Sequence, residues 1–93
     1  MSSTWLITGA TSGFGRLVAE RALAAGFHVI AVGRRREQLD ELVASAPRGQ
    51  ATAVALDVTA PDAQEVLAEA VRSAGGLDVL FNNAGYGVFG AVE

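Results

Sequence analysis

The pattern that most constrains this chain is the alternation of short apolar runs with segments of helical period. Residues 4–8, Phe27–Val32, Thr52–Val58 and Leu77–Phe81 are apolar or β-branched almost throughout, as strands buried on both faces must be. Between them Phe14, Leu17, Val18, Ala22 and Ala25 recur at helical spacing. Leu39, Leu42, Val43 and Ala46 do the same, then Ala63, Val66, Leu67, Ala70, Val71 and Ala74. Gly26, Pro47 with Gly49, and Gly75-Gly76 are placed to stop the three helices, and Thr59, with Asp62 three residues on, is the expected N-cap of the third. Strands separated by helices pair in parallel, with the helices packed on the sheet faces. The predicted class is therefore α/β: a doubly wound parallel sheet in a three-layer α/β/α arrangement. Right-handed crossovers set the strand order 3-2-1-4, with the first two helices on one face and the third on the other. The reversal between strands 1 and 4 opens a crevice at their carboxyl ends.

Two loops emerge at that crevice. Thr8-Gly9-Ala10-Thr11-Ser12-Gly13-Phe14-Gly15 joins the first strand to the first helix, and Asn82-Asn83-Ala84-Gly85 follows the fourth strand. A glycine-rich turn running into a helix presents bare backbone N–H groups at the positive end of the helix dipole, which suits a pyrophosphate. Side chains at the glycine positions would obstruct the phosphate or the packing of helix on strand.

Composition excludes several other functions. The chain has 93 residues, no cysteine and one histidine, so disulfides, thiolate catalysis and a zinc site are not expected. A net charge of −3 offers no basic footprint for nucleic acid, and no apolar stretch approaches the ~20 residues of a membrane span. A cytoplasmic setting is expected. His28 reads as a packed strand histidine, and Trp5 and Phe27 as strand core or edge.

The glycine turn and the Asn82–Gly85 loop, in this register, resemble the N-terminal half of the classical short-chain dehydrogenases/reductases, with their TGxxxGxG and NNAG motifs. The resemblance covers essentially the whole chain and implies a Rossmann-like fold. It also implies hydride transfer between a nicotinamide cofactor and a carbonyl or alcohol substrate. Gly9, Gly13 and Gly15 would then cradle the pyrophosphate, with Thr11, Ser12 and Phe14 of the same turn also binding cofactor, and Asp57 and Val58 would hold adenine. Asn83, Ala84 and Gly85 would line the nicotinamide ribose, with Asn82 and Thr8 in structural roles. The alternative is that Asp57 simply begins a turn before the Thr59 cap.

Cofactor choice turns on the end of the second strand. An acidic residue about 20 positions past the glycine turn binds the ribose 2′-OH in NAD sites and would repel a 2′-phosphate. Gly33 stands at that place here, followed by Arg34, Arg35 and Arg36. Arg34, with Arg35 and the Ser12 hydroxyl, offers a charged fork to a phosphate, while Arg36 reads as helix surface. NADP(H) is the expected cofactor in preference to NAD(H).

The Ser, Tyr and Lys with which the family moves the substrate proton have no counterpart here. All seven basic residues are arginine, and Gly90 stands four residues after the single tyrosine, Tyr86. Residues 1–93 are accordingly expected to be the N-terminal part of a dinucleotide-binding domain that continues past the fourth strand. By themselves they should be inactive and prone to self-association, and homo-oligomeric once complete. Two other readings remain open. One is a non-catalytic module with NADP(H) as a sensory or assembly ligand. The other, a nucleoside-binding transferase, is disfavoured by Gly33-Arg34.

Overall fold

The computed structural model describes residues 3–11, 13–57 and 59–82. Strands and helices alternate along them as β1 (Thr4–Thr8), α1 (Gly13–Ala24), β2 (His28–Gly33), α2 (Arg36–Ser45), β3 (Ala51–Ala55), α3 (Ala63–Ser73) and β4 (Val79–Asn82). The sheet order is β3-β2-β1-β4 with every pair parallel, as the alternation predicts. Its register places Thr8 between Val32 and Asn82, and Gly33 beside Ala55.

Successive strand residues point to opposite faces, so each strand feeds two cores. Ile7, Val29 and Ala31 pack with Ala19, Ala22 and Leu23 of α1 and Leu39 and Leu42 of α2. Leu6, Ile30 and Val32 pack with Leu67 of α3. The central strands are thus buried on both sides, which is why they read as continuous apolar runs rather than as alternating ones.

Element ends differ from the sequence reading in ways the local chemistry explains. The third strand stops at Ala55 rather than Val58, because Asp57 turns the chain back on Thr59. Thr59 does not cap α3. Its hydroxyl and amide are both committed to Asp57, Asp62 holds the cap position, and two i→i+3 turns (Ala60 N–H to Asp57 O, Ala63 N–H to Ala60 O) precede the helix. The fourth strand starts at Val79 rather than Leu77, after Asp78 has exchanged hydrogen bonds with Thr4.

In α1 the residues against the sheet are Gly15, Ala19, Ala22 and Leu23, small enough for a close approach of helix and strand. Phe14 and Leu17 remain 65% and 46% exposed, so only part of the predicted stripe faces the sheet. They border an open groove of about 410 Å³ that includes Trp5, Val18 and Phe27, and the Trp5 and Phe27 rings stack there at 5.5 Å. Among the described residues no helix is long and apolar enough to cross a membrane.

Candidate cofactor site

The carboxyl ends of β1, β2 and β3 converge on the glycine turn. Gly9 and Gly13 have φ of 64° and 52°, a left-handed conformation that L side chains rarely adopt and that lets the chain leave β1 and enter α1 within five residues. The turn is fixed to the sheet at its base, where buried Ala10 donates its N–H to Val32 O at 3.1 Å. Beyond it α1 begins at Gly13, so the first N–H groups of a 12-residue helix face outward from the sheet end. That end carries a partial positive charge and favours an anion.

Thr8 closes the neighbouring gap. Fully buried, it donates its Oγ1–H to Asn82 Oδ1 at 3.0 Å and ties the ends of β1 and β4 together. The structural roles expected of Thr8 and Asn82 are those observed.

At the end of β2 the backbone of Gly33 is not left-handed, so conformation alone does not call for glycine there. Space does more to define it. A Cβ at this position would lie 3.4 Å from Thr11 Oγ1 and 3.6 Å from Leu39 Cδ2, in a slot between the glycine turn and α2. The chain then exposes Arg34, Arg35 and Arg36. Arg36 pairs with Asp40 at 3.7 Å along α2, as helix-surface residues four apart do. Arg35 occupies the N-cap of α2 without a side-chain capping bond. Among the described residues neither Arg34 nor Arg35 has an ion-pair partner, and both stand at the N-terminus of α2, where cations are disfavoured.

Asp57 completes the constellation from the end of β3. The amide and hydroxyl of Thr59 both donate to its Oδ1, at 2.9 and 2.7 Å. These bonds hold the Asp57 carboxyl below the usual carboxylate range, and the positive charge of Arg34 adds to the effect. Asp57 therefore does begin a turn, yet its second oxygen keeps no hydrogen-bond partner among the described residues and remains able to accept one. Thr59 is the residue that sequence reasoning placed wrongly. The signal was there in Asp57-Val58-Thr59, a spacing at which an Asp side chain captures the backbone two residues on.

The structure thus brings together Gly9, Thr11, Gly13, Gly33, Arg34 and Asp57 at one end of the sheet, with Phe14 and Gly15 entering α1 beside them. Ser12, Val58, Asn83, Ala84 and Gly85 lie outside the described residues. His28 belongs to the opposite end, where its ring bridges Gly49 O and Thr52 Oγ1. No group of three or more potential metal ligands occurs among the described residues.

Known proteins are similar to this chain in sequence and in fold. The model of the short chain dehydrogenase family matches residues 3–93. A serine 3-dehydrogenase of Agrobacterium fabrum is 48% identical over 91% of this chain and 34% of its own. A short-chain dehydrogenase of Streptomyces avermitilis superposes with a TM-score of 0.82 at 49% identity, over 89% of this chain and 31% of that one. An L-sorbose reductase of Gluconobacter frateurii, solved with NADPH and L-sorbose, gives 0.82 at 36% identity over 91% and 34%. The chain spans about a third of the length of these relatives. By the extent of the family match and by its 3-2-1-4 sheet, this chain belongs to the short-chain dehydrogenase family of oxidoreductases.

Proposed function

We propose that this chain forms the cofactor-binding part of an oxidoreductase that uses NADP(H) in preference to NAD(H) on a small carbonyl or alcohol substrate. The observation that carries the reading is the exit of β2: a side-chain-free slot at Gly33, followed by Arg34 and Arg35 without ion-pair partners among the described residues. An aspartate in that slot would favour a ribose hydroxyl, whereas a glycine with a neighbouring guanidinium favours a phosphate. The NADPH bound by the L-sorbose reductase lends further support.

In this reading the turn at Gly9–Gly15 takes the pyrophosphate, using outward N–H groups and the helix dipole. Arg34, assisted by Arg35 and Ser12, binds the 2′-phosphate. Asp57 accepts a hydrogen bond from the adenine amino group through the oxygen that Thr59 leaves free, with Val58 beside it. Asn83, Ala84 and Gly85 line the nicotinamide ribose. The bound nicotinamide supplies or accepts the hydride, and this chain's residues hold it in register without handling the substrate proton. A cytoplasmic setting and assembly of like subunits belong to the same proposal.

Titration with NADPH and NADH tests it. A charge-assisted hydrogen bond is worth about 1.5–3 kcal/mol, so Arg34→Ala should weaken NADPH by roughly 10- to 100-fold and leave NADH unchanged. Equal losses for both cofactors would make Arg34 a structural residue and overturn the assignment.

A further inference from the structure

The outer edge of the sheet, at β3, is unprotected. We propose that it is a self-complementary interface, through which two copies of this chain pair their β3 strands antiparallel about a two-fold axis centred on Ala53. The inference gives the assembly of like subunits proposed above a definite surface, and it does not use the cofactor reading. β3 pairs with β2 on one side, and among the described residues no strand lies on the other. Val29 N–H bonds to Gln50 O at 2.9 Å and Leu56 N–H to Gly33 O at 2.7 Å, so the even-numbered residues of this segment turn their backbone groups toward β2. Backbone groups alternate sides along a strand, so Ala51, Ala53 and Ala55 aim their N–H and C=O groups at the open edge. Exposed edges of this kind usually carry a charge, a proline or a bulge that discourages pairing. Ala51-Thr52-Ala53-Val54-Ala55 has neither charge nor proline, and its register with β2 runs unbroken from Val29 beside Ala51 to Gly33 beside Ala55.

A second copy is the occupant that this edge fits. Its outward residues are spaced symmetrically about Ala53. In an antiparallel pair centred there, Ala53 faces Ala53 of the other copy, Ala51 faces its Ala55, and residues so opposed exchange both N–H···O bonds. Every outward group of the strand thereby gains a partner, and the closed two-fold leaves none to recruit a third chain. Thr52 falls opposite Val54, a β-branched pair that brings no charge into the seam. The charges stand just outside it and match. Exposed Arg48, without an ion-pair partner among the described residues, precedes β3, and exposed Asp57 follows it. Antiparallel pairing brings Arg48 of each copy to the same end as Asp57 of the other, so both flanks attract. A parallel pairing would set like charge beside like charge.

Sedimentation and amide hydrogen exchange on the full chain test it together. A concentration-dependent dimer is expected, and the Ala51, Ala53 and Ala55 amides should gain at least about tenfold protection as it fills. The Thr52 and Val54 amides, bonded to β2, should be protected in the monomer already. Ala53→Pro removes the central donor from both copies, at a position whose N–H faces away from β2 and so tolerates proline within the chain. It should weaken the dimer by about 10- to 100-fold. Arg48→Glu sets two acidic groups together at each flank and should weaken it by about three- to tenfold, less in high salt. If Ala53→Pro fails to fold, this variant and the exchange pattern of the parent decide. Leu17→Glu, on the apolar groove beside α1, is the control and should leave the dimer unchanged. If Leu17→Glu abolishes association while Ala53→Pro and Arg48→Glu are neutral, the edge is not the interface, though like subunits still assemble. A dimer in which Ala51, Ala53 and Ala55 gain no protection overturns the edge in the same way. A chain that stays monomeric up to about 1 mM overturns both the edge and the assembly.

Discussion

The two ends of this sheet are built from the same four strands and solve opposite problems. At the amino end the protein binds itself. Gln50 donates its side-chain amide to Leu23 O at 2.7 Å and Phe27 O at 3.1 Å, closing the step from α1 into β2. His28 bridges Gly49 and Thr52, and Asp78 accepts from Thr4 N–H at 2.7 Å. At the carboxyl end, the described polar groups that are tied down hold strand ends and turns, as Thr8 with Asn82 and Asp57 with Thr59. Arg34 and Arg35, without ion-pair partners among the described residues, and the helix N-terminus of α1 add positive charge to the same end. Buried or half-buried polar groups in folded proteins are mostly paired, as Gln50 is here, and among the described residues Trp5 Nε1 is the exception. Leaving charge unpaired around a glycine turn makes sense where something else supplies the counter-charge. Under the proposed cofactor assignment, stability and binding separate by position along the strands.

The largest effect should come from reversing the charge at the binding end. Arg34→Glu replaces an attraction with a repulsion, so NADPH affinity should fall by at least about 100-fold, with NADH unaffected. Because Arg34 is exposed, the variant's unfolding free energy measured in urea should stay within about 0.5 kcal/mol of the parent. A large stability loss in this variant would break the separation of the two ends.

Gln50→Ala probes the opposite end and should show the converse. Two carbonyls lose their shared donor, at a cost of about 1–3 kcal/mol, seen as a lower urea midpoint at unchanged slope. NADPH affinity measured well below that midpoint should not change. Thr8→Val is the intermediate case. Removing its hydroxyl leaves Asn82 Oδ1 short of one donor beside the crevice, so stability should fall by about 1 kcal/mol and cofactor affinity with it. Loss of affinity without loss of stability would move Thr8 from a strand tie to a direct ligand.

Legibility in the sequence follows the same division. The sheet order and the assignment of helices to faces could be read because β1 and β2 are buried on both sides, leaving Leu6-Ile7 and Val29–Val32 no polar alternation to confuse the period. The Thr8–Asn82 tie followed from the adjacency of two strand ends. Ends of elements were harder, because they are decided by side-chain competition for a few backbone groups. Thr59 looks like a helix cap by type and position, yet Asp57, two residues earlier, offers a charged acceptor that wins its hydroxyl. The slot between Thr11 and Gly33 was invisible for another reason: glycine writes nothing into a sequence about the side chain that a neighbour is waiting to meet. In α1, spacing cannot distinguish an apolar residue turned to the sheet from one left at a groove, and Phe14 and Leu17 belong to the second kind.

The smallest effect concerns the Asp57–Thr59 turn and is best read by proton titration. The two bonds from Thr59 keep the Asp57 carboxyl below its ordinary value of 3.8, with Arg34 adding to the shift. A carboxyl whose pKa is lowered on folding contributes its stabilisation fully above the ordinary value and loses it as pH falls through the lowered one. Asp57 is fully exposed, so the contribution is small and changes of pH between 6 and 8, well above about 3.9, should not alter it. In Thr59→Ala the side-chain donor is gone, and the Asp57 carboxyl followed by NMR should titrate closer to its ordinary value. Arg34→Ala should move it the same way by a smaller amount, since the Thr59 hydroxyl is the larger cause. If the order were reversed, the guanidinium would be the main partner of Asp57. Arg34 and Asp57 would then neutralise each other, and the binding end would resemble the self-satisfied end after all.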